Sequence, residues 1–219
     1  MKRYAPLLTL VAVVVLGGAL LTVNVLNNPA NQQATQVEAA PPAPPPAEAA
    51  PAVAPPVVAE KAYAGRSSGN EVTVAIAVKD GRAVAYVCNG KKIEAWLEGT
   101  LQGDKLQLSG KNGASITGTV TEASTFGDVT AAGKTWPFSA KGVQAPAGLY
   151  EGRADVRGVA TRIGWVVEGD GRVTGSYTDG NGVTDTAPPL DPNNPGAVTF
   201  DGVPVTVSAI DGDDTVVAR

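Results

Sequence analysis

The chain has 219 residues, 43% of them hydrophobic and 17% charged, with a net charge of −4 at pH 7, one cysteine and no histidine. Without histidine, the commonest general base, the Ser-His and Cys-His nucleophile pairs and nearly all zinc sites are excluded. The acidic balance, with basic residues scattered and only Lys91-Lys92 adjacent after residue 60, leaves no stripe that would track a phosphate backbone, so nucleic acid is not an expected partner.

In chain order, an uncharged stretch from Pro6 to Leu26 comes first, flanked only by Lys2 and Arg3. As a helix it would reach roughly 30 Å, about one hydrocarbon core. The positive-inside bias then holds the N-terminus in the cytoplasm and exports the remainder of the chain. A cleaved secretory signal is the alternative. Signal cores run only about 7–15 residues and end close to a small-x-small site, whereas here Val37-Glu38-Ala39 lies far downstream. Residues 1–27 are therefore expected to be a cytoplasmic tip and a single-pass membrane anchor, with the C-terminal domain extracytoplasmic at the cell membrane.

Residues 28–60 read as a disordered linker. Positions 29–60 hold nine Pro and eleven Ala, with Glu the only charged type. Such a segment buries too little apolar surface to fold, and its prolines favour extended polyproline II. At about 3.1 Å per residue it would span on the order of 80–100 Å, a spacer suited to a cell envelope.

Residues 61–219 read as an all-β domain. Val72, Val74, Ile76 and Val78 alternate up to Asp80-Gly81, which reverses the chain into Arg82–Cys88. Asp-Gly between alternating runs marks a type I′ hairpin, because both central positions need positive φ. A two-residue turn sets Val78 opposite Ala83, Ile76 opposite Ala85 and Val74 opposite Val87. The other face carries Thr73, Ala75, Ala77, Val84, Tyr86 and Cys88. Both faces are largely apolar, so this hairpin is expected to be central, covered on both sides or closed into a barrel. Cys88 sits there as a small buried hydrophobe, with an intermolecular disulfide or reactive thiol as the alternative.

Further strands are expected over 92–101, 105–109, 114–121, 127–132, 135–141, 148–155, 161–168, 172–178, 197–200, 203–209 and 215–218. Short connections favour antiparallel neighbours. Pro137 places its strand at an edge or a bulge, and residues 180–196 form one long loop. The order Y-x-G-R, D-G-R, Tyr, Asx-Gly occurs twice, from Tyr63 to Gly90 and from Tyr150 to Gly180. It reads as a duplicated strand–hairpin unit. The expected architecture is an antiparallel meander barrel or sandwich, either one closed unit or two similar halves at 61–143 and 148–219.

Chemistry-bearing candidates are few. No Walker A run or G-x-G-x-x-G occurs, so no cofactor is expected. Ser139 and Lys141 share an outward strand face with Thr135 and Pro137 and read as a solvated pair. Asp179-x-Asn181-x-x-x-Asp185 and Asp211-x-Asp213-Asp214 read as solvated turns rather than metal sites, since Val183 stands where a calcium loop needs a ligand. Trp136 and Trp165 fall on apolar faces and read as core. On the strand after Lys92, Ile93, Ala95, Leu97 and Leu101 form the apolar face, leaving Glu94, Trp96 and Glu98 on the other side. A tryptophan between two acids offers stacking area and an N–H donor to a ligand or partner; the alternative is that another strand covers it. Glu94 and Glu98 would be roughly 13 Å apart at about 3.3 Å per residue, beyond the separation a glycosidase pair needs. Trp96, Glu94, Glu98 and Tyr86 are the candidate ligand- or partner-binding residues.

The run from Ala85 to Gly99, A-Y-V-C-N-G-K-K-I-E-A-W-L-E-G, preceded by Y-x-G-R and K-D-G-R, resembles a recurring segment of uncharacterised exported proteins of high-GC actinobacteria, over roughly 63–120. That resemblance implies export and brings no activity or site residue. The turn at Arg172–Tyr177 is similar in pattern to those of avidin-like and lipocalin-like barrels, a likeness of fold that carries no function. The expectation is a membrane-anchored, non-catalytic β module binding an envelope ligand or partner protein, with a structural envelope scaffold as the second reading and a histidine-free hydrolase as the third.

Overall fold

The structure, a computed structural model, describes residues 60–217. The expected membrane anchor and Pro/Ala linker lie outside the described residues. Among the described residues no helix is long and apolar enough to cross a membrane.

Alternation of apolar side chains with short turns builds eight antiparallel strands: β1 (Glu60–Ser67), β2 (Thr73–Lys79), β3 (Arg82–Cys88), β4 (Glu94–Gln102), β5 (Lys105–Gly110), β6 (Ser115–Val120), β7 (Ser124–Ala131) and β8 (Lys134–Val143). Each pairs with its neighbour in sequence, and β8 pairs back onto β1 to close a barrel. The expected hairpin register is the one observed, with Val78 opposite Ala83, Ile76 opposite Ala85 and Val74 opposite Val87. Asp80 and Gly81 take φ of 49° and 77°, as the turn requires. Tyr63, Val74, Ile76, Val87, Leu97, Ile116, Val129 and Phe138 are among the side chains that fill the barrel, with Trp136 packed partly buried against them. The lumen is core.

A second, open sheet follows, in the order β12-β11-β10-β9-β15. It is made of β9 (Gly148–Val156), β10 (Val159–Val167), β11 (Val173–Asp179), β12 (Thr184–Thr186) and β15 (Thr206–Ala209), with β13 (Thr199–Phe200) and β14 (Val203–Pro204) forming a small separate ribbon. One face of this sheet lies on the outside of β1–β4, where Leu149, Val166 and Val216 pack with Ala64, Ala75, Val84, Tyr86 and Cys88. Its other face holds Tyr150, Ile163, Trp165 and Val167, roofed by Leu190, Val198 and Val205. The Trp165 indole N–H donates to the Pro188 carbonyl at 2.9 Å.

Several expectations need correction. The strand expected from Lys92 starts at Glu94, because the Asn89 side-chain oxygen accepts the N–H groups of Lys91, Lys92 and Ile93 and holds them in a turn. No strand forms over 215–217; the Val216 and Val217 amides donate instead to the Glu98 carboxylate. The 203–209 strand breaks at Val205, whose N–H goes to the Val198 carbonyl. The segment 180–196 includes the short strand β12, and Leu190 within it is core. Pro137 is at neither an edge nor a bulge: it pairs with Asp128 inside the closed barrel, just past the point where the β1–β8 ladder ends at Phe138. Its carbonyl accepts the Ser68 N–H at 2.9 Å, so its missing N–H faces the end of that ladder and breaks no bond to β7. The Arg172–Tyr177 turn belongs to the open sheet, not the barrel.

Two consequences are testable. A Cβ on Gly164 of β10 would overlap the buried Tyr86 ring, so no larger residue fits where the sheet meets the barrel. Gly164→Ala is expected to cost about 2 kcal/mol or more through overpacking, read as a lowered denaturant midpoint. Cys88 is unpaired and buried, and burial pushes its thiol up to about 12. It is expected to resist iodoacetamide at pH 8 in the native protein and to react fully once denaturant is added; native labelling at the unfolded rate would contradict this burial.

Candidate functional site

The site is built from the outward residues of β4 and the barrel-facing residues of β9–β11. Strand alternation points Glu94, Trp96 and Glu98 out of the barrel, while Leu97 points in and is fully buried. The docked sheet presents Glu151 and Arg153 from β9, Arg162 from β10 and Thr178 from β11. Between these two surfaces lies a crevice of about 850 Å³, lined by residues including Glu94, Trp96, Arg153, Arg162, Thr178 and Val217.

Trp96 is half-buried at the base of this crevice. Its ring lies 4.3 Å from that of Tyr86, tilted by 44°. The Arg162 guanidinium carbon sits 3.8 Å from its centroid, a cation–π contact. Its indole N–H donates to Glu94 Oε1 at 3.2 Å, and the Tyr86 hydroxyl donates to the same oxygen at 3.0 Å. The Thr178 hydroxyl donates to Glu94 Oε2. Burial raises the Glu94 pKa above its ordinary value, opposed by the donors from Thr178, Tyr86 and Trp96 and by the nearby Arg162 charge. Burial holds the Tyr86 hydroxyl well above its usual range, so it stays a neutral donor.

Arg162 is held from below by Glu151, which accepts its Nε–H at 2.8 Å and also pairs with Arg153 at 2.7 Å. Its Nη1 donates to the Val216 carbonyl, and its Nη2 is buried with no partner among the described residues. Burial lowers the Arg162 pKa, opposed by the Glu151 charge. Truncating Glu151 would leave the Arg162 guanidinium without its ion-pair partner, at a cost of about 3–5 kcal/mol.

The four sequence candidates thus fall in different places. Glu94 and Trp96 line the crevice. Tyr86 is fully buried beneath them, packed on Trp96 and hydrogen-bonded to Glu94. Glu98 is turned to a separate, smaller hollow, where it accepts the Val216 and Val217 amides. Sequence reasoning missed Arg162, Arg153 and Thr178. One signal was available: Arg162 is a cation in the strand T-R-I-G-W-V-V, and a charge inside an otherwise apolar strand needs a buried partner.

Glu94 already accepts three hydrogen bonds. Among the described residues no three His, Cys, Asp or Glu stand close enough to hold a metal ion. Asp179, at the crevice rim, accepts the Asn181 and Val183 amides of its own turn.

No family model matches the chain, and no curated protein matches it. A solved structure from Nitrosomonas europaea, provisionally assigned as AttH, is similar over 62% of this chain and 68% of that one, at 11% identity and a TM-score of 0.19. A likeness that weak carries no argument about fold or function.

The raised Glu94 pKa gives a pH prediction. The folded state binds this proton more tightly than the unfolded chain does. The site's contribution to stability is therefore greatest below the ordinary value of 4.5 and is lost as pH rises through the folded value. The Tm of Glu94→Gln minus that of the wild type is expected to be smaller at pH 4.5 than at pH 7.5. A difference that is flat over that range would show that Glu94 does not titrate differently in the two states.

Proposed function

We propose that this chain is a single-pass membrane protein whose extracytoplasmic β module binds an envelope ligand or a partner protein at the Trp96 crevice without catalysis. The membrane and export parts rest on the Pro6–Leu26 stretch, the Lys2-Arg3 flank and the Pro/Ala spacer. The actinobacterial relationship rests on the 63–120 motif alone.

One observation carries the binding reading. A tryptophan, a half-buried arginine whose Nη2 has no partner among the described residues, and a hydrogen-bonded carboxylate converge on one concave site of about 850 Å³. Apolar floors with a few placed polar groups are the usual form of a small-molecule site. The barrel lumen offers no such place, being filled by its own side chains.

A structural scaffold is the second reading, favoured by the same contacts seen differently. Trp96 already touches Tyr86 and Arg162, and Glu94 is fully hydrogen-bonded, so both help to join sheet to barrel. On that reading nothing else need bind.

Native mass spectrometry of the full chain, extracted from its own envelope in mild detergent, separates the two. The expected result is a retained small molecule or partner, lost on Trp96→Ala at unchanged circular dichroism. A bare wild-type chain would favour the scaffold.

A further inference from the structure

The hydrogen-bonding capacity of the crevice is unevenly used. Its acids are almost all committed: Glu94 to Tyr86, Trp96 and Thr178, Glu151 beneath to Arg162 and Arg153, and Asp179 to amides of its own turn. Asp155, at the rim, has no ion-pair partner among the described residues.

Its cations are less committed. Arg162 donates through Nε and Nη1, yet its buried Nη2 has no partner among the described residues. Buried donors are rarely left this way, and an unmet one costs about 1–3 kcal/mol, more when it is charged. Arg153 is largely exposed and pairs only with Glu151, while Lys111 makes no ion pair among the described residues. With the guanidinium face of Arg162 on Trp96 and its Nε and Nη1 engaged, Nη2 is the donor left on the edge that a carboxylate would meet. Ala95, Ala154, Val216 and Val217 add apolar surface beside Trp96.

We infer that the crevice is a site for a small monocarboxylate with an apolar body, its carboxylate meeting the Arg162 edge and its body lying against Trp96 and Val217. This rests on the crevice being a ligand site as proposed above. A dianion such as a phosphate fits less well, because Glu94, Asp155 and Asp179 also line the space and repel a second negative charge.

The test is a ligand-observed NMR titration of the full chain in mild detergent with 3-phenylpropionate, against uncharged 3-phenylpropanol and dianionic phenyl phosphate. The acid is expected to saturate at least tenfold more tightly than either. The double variant Lys111→Gln/Arg153→Gln, changed only at exposed positions, is expected to weaken the acid about tenfold and leave the alcohol unchanged. Arg162→Lys, studied where its circular dichroism matches the wild type, should abolish the preference for the acid. Equal binding of acid and alcohol, or tighter binding of phenyl phosphate, overturns the monocarboxylate class and leaves the crevice a ligand site. Failure of every probe, with Trp96→Ala still emptying the native complex, overturns the class alone. Failure of every probe together with a bare wild-type chain overturns both readings.

Discussion

A hairpin that is apolar on both faces must be covered twice, and this constraint organises the molecule. Val74, Ile76, Val78, Ala83, Ala85 and Val87 face one way from β2 and β3, and Ala75, Val84, Tyr86 and Cys88 face the other. Leaving either set in water would forfeit about 25 cal/mol for each Å² of apolar surface. The first set is covered by curling the next five strands around until β8 reaches β1. The second is covered by an open sheet laid across the outside. On β1–β3 the outside of the barrel is therefore core as well.

The crevice arises from how that outer cover ends. The sheet makes its closest approach where Gly164 admits the Tyr86 ring, and on this side the apolar contact gives way to polar groups at Glu94, Trp96 and Arg162. Ion pairs mark the limits of the dry interface elsewhere as well. Arg66 on β1 forms a paired contact with Glu168, at 2.9 and 2.6 Å, and donates to Thr174 at 3.1 Å. Lys79 reaches Asp213 at 3.1 Å. Desolvation makes such pairs weak sources of net stability, but it penalises any misdocked arrangement that leaves one partner alone. They set the register of sheet on barrel more than they hold it there.

A protein without histidine has few groups whose ordinary pKa lies near neutral pH. At Glu94 burial raises the pKa while the donors from Thr178, Tyr86 and Trp96 and the nearby Arg162 charge oppose that rise, and the Arg162 guanidinium lies over an aromatic ring. The same residues that shape the crevice, Trp96 and Arg162, also fasten the sheet to the barrel.

Much of the local structure was legible in the residues. Asp80-Gly81 determined the β2–β3 register, because a two-residue turn permits one pairing and the side-chain period of two then assigns every face. The same period placed Leu97 inside and Trp96 outside, and put Cys88 in an apolar layer. The echo of Y-x-G-R and D-G-R lies on β1–β3 and again on β9–β11, two three-stranded meanders. Yet one meander is part of a closed barrel and the other of an open sheet. That difference depends on β8 reaching β1, a pairing between distant segments that no local pattern encodes. Tyr86 shows the same limit: its outward face was readable, its complete burial was not, because the residues that cover it come from β10 and β11. Arg162 meets Trp96 for the same reason. Sequence by itself determined strands, faces and turns, which depend on neighbours along the chain; tertiary structure alone decided which outward face became core and which became a crevice, since that depends on what packs against it from far away.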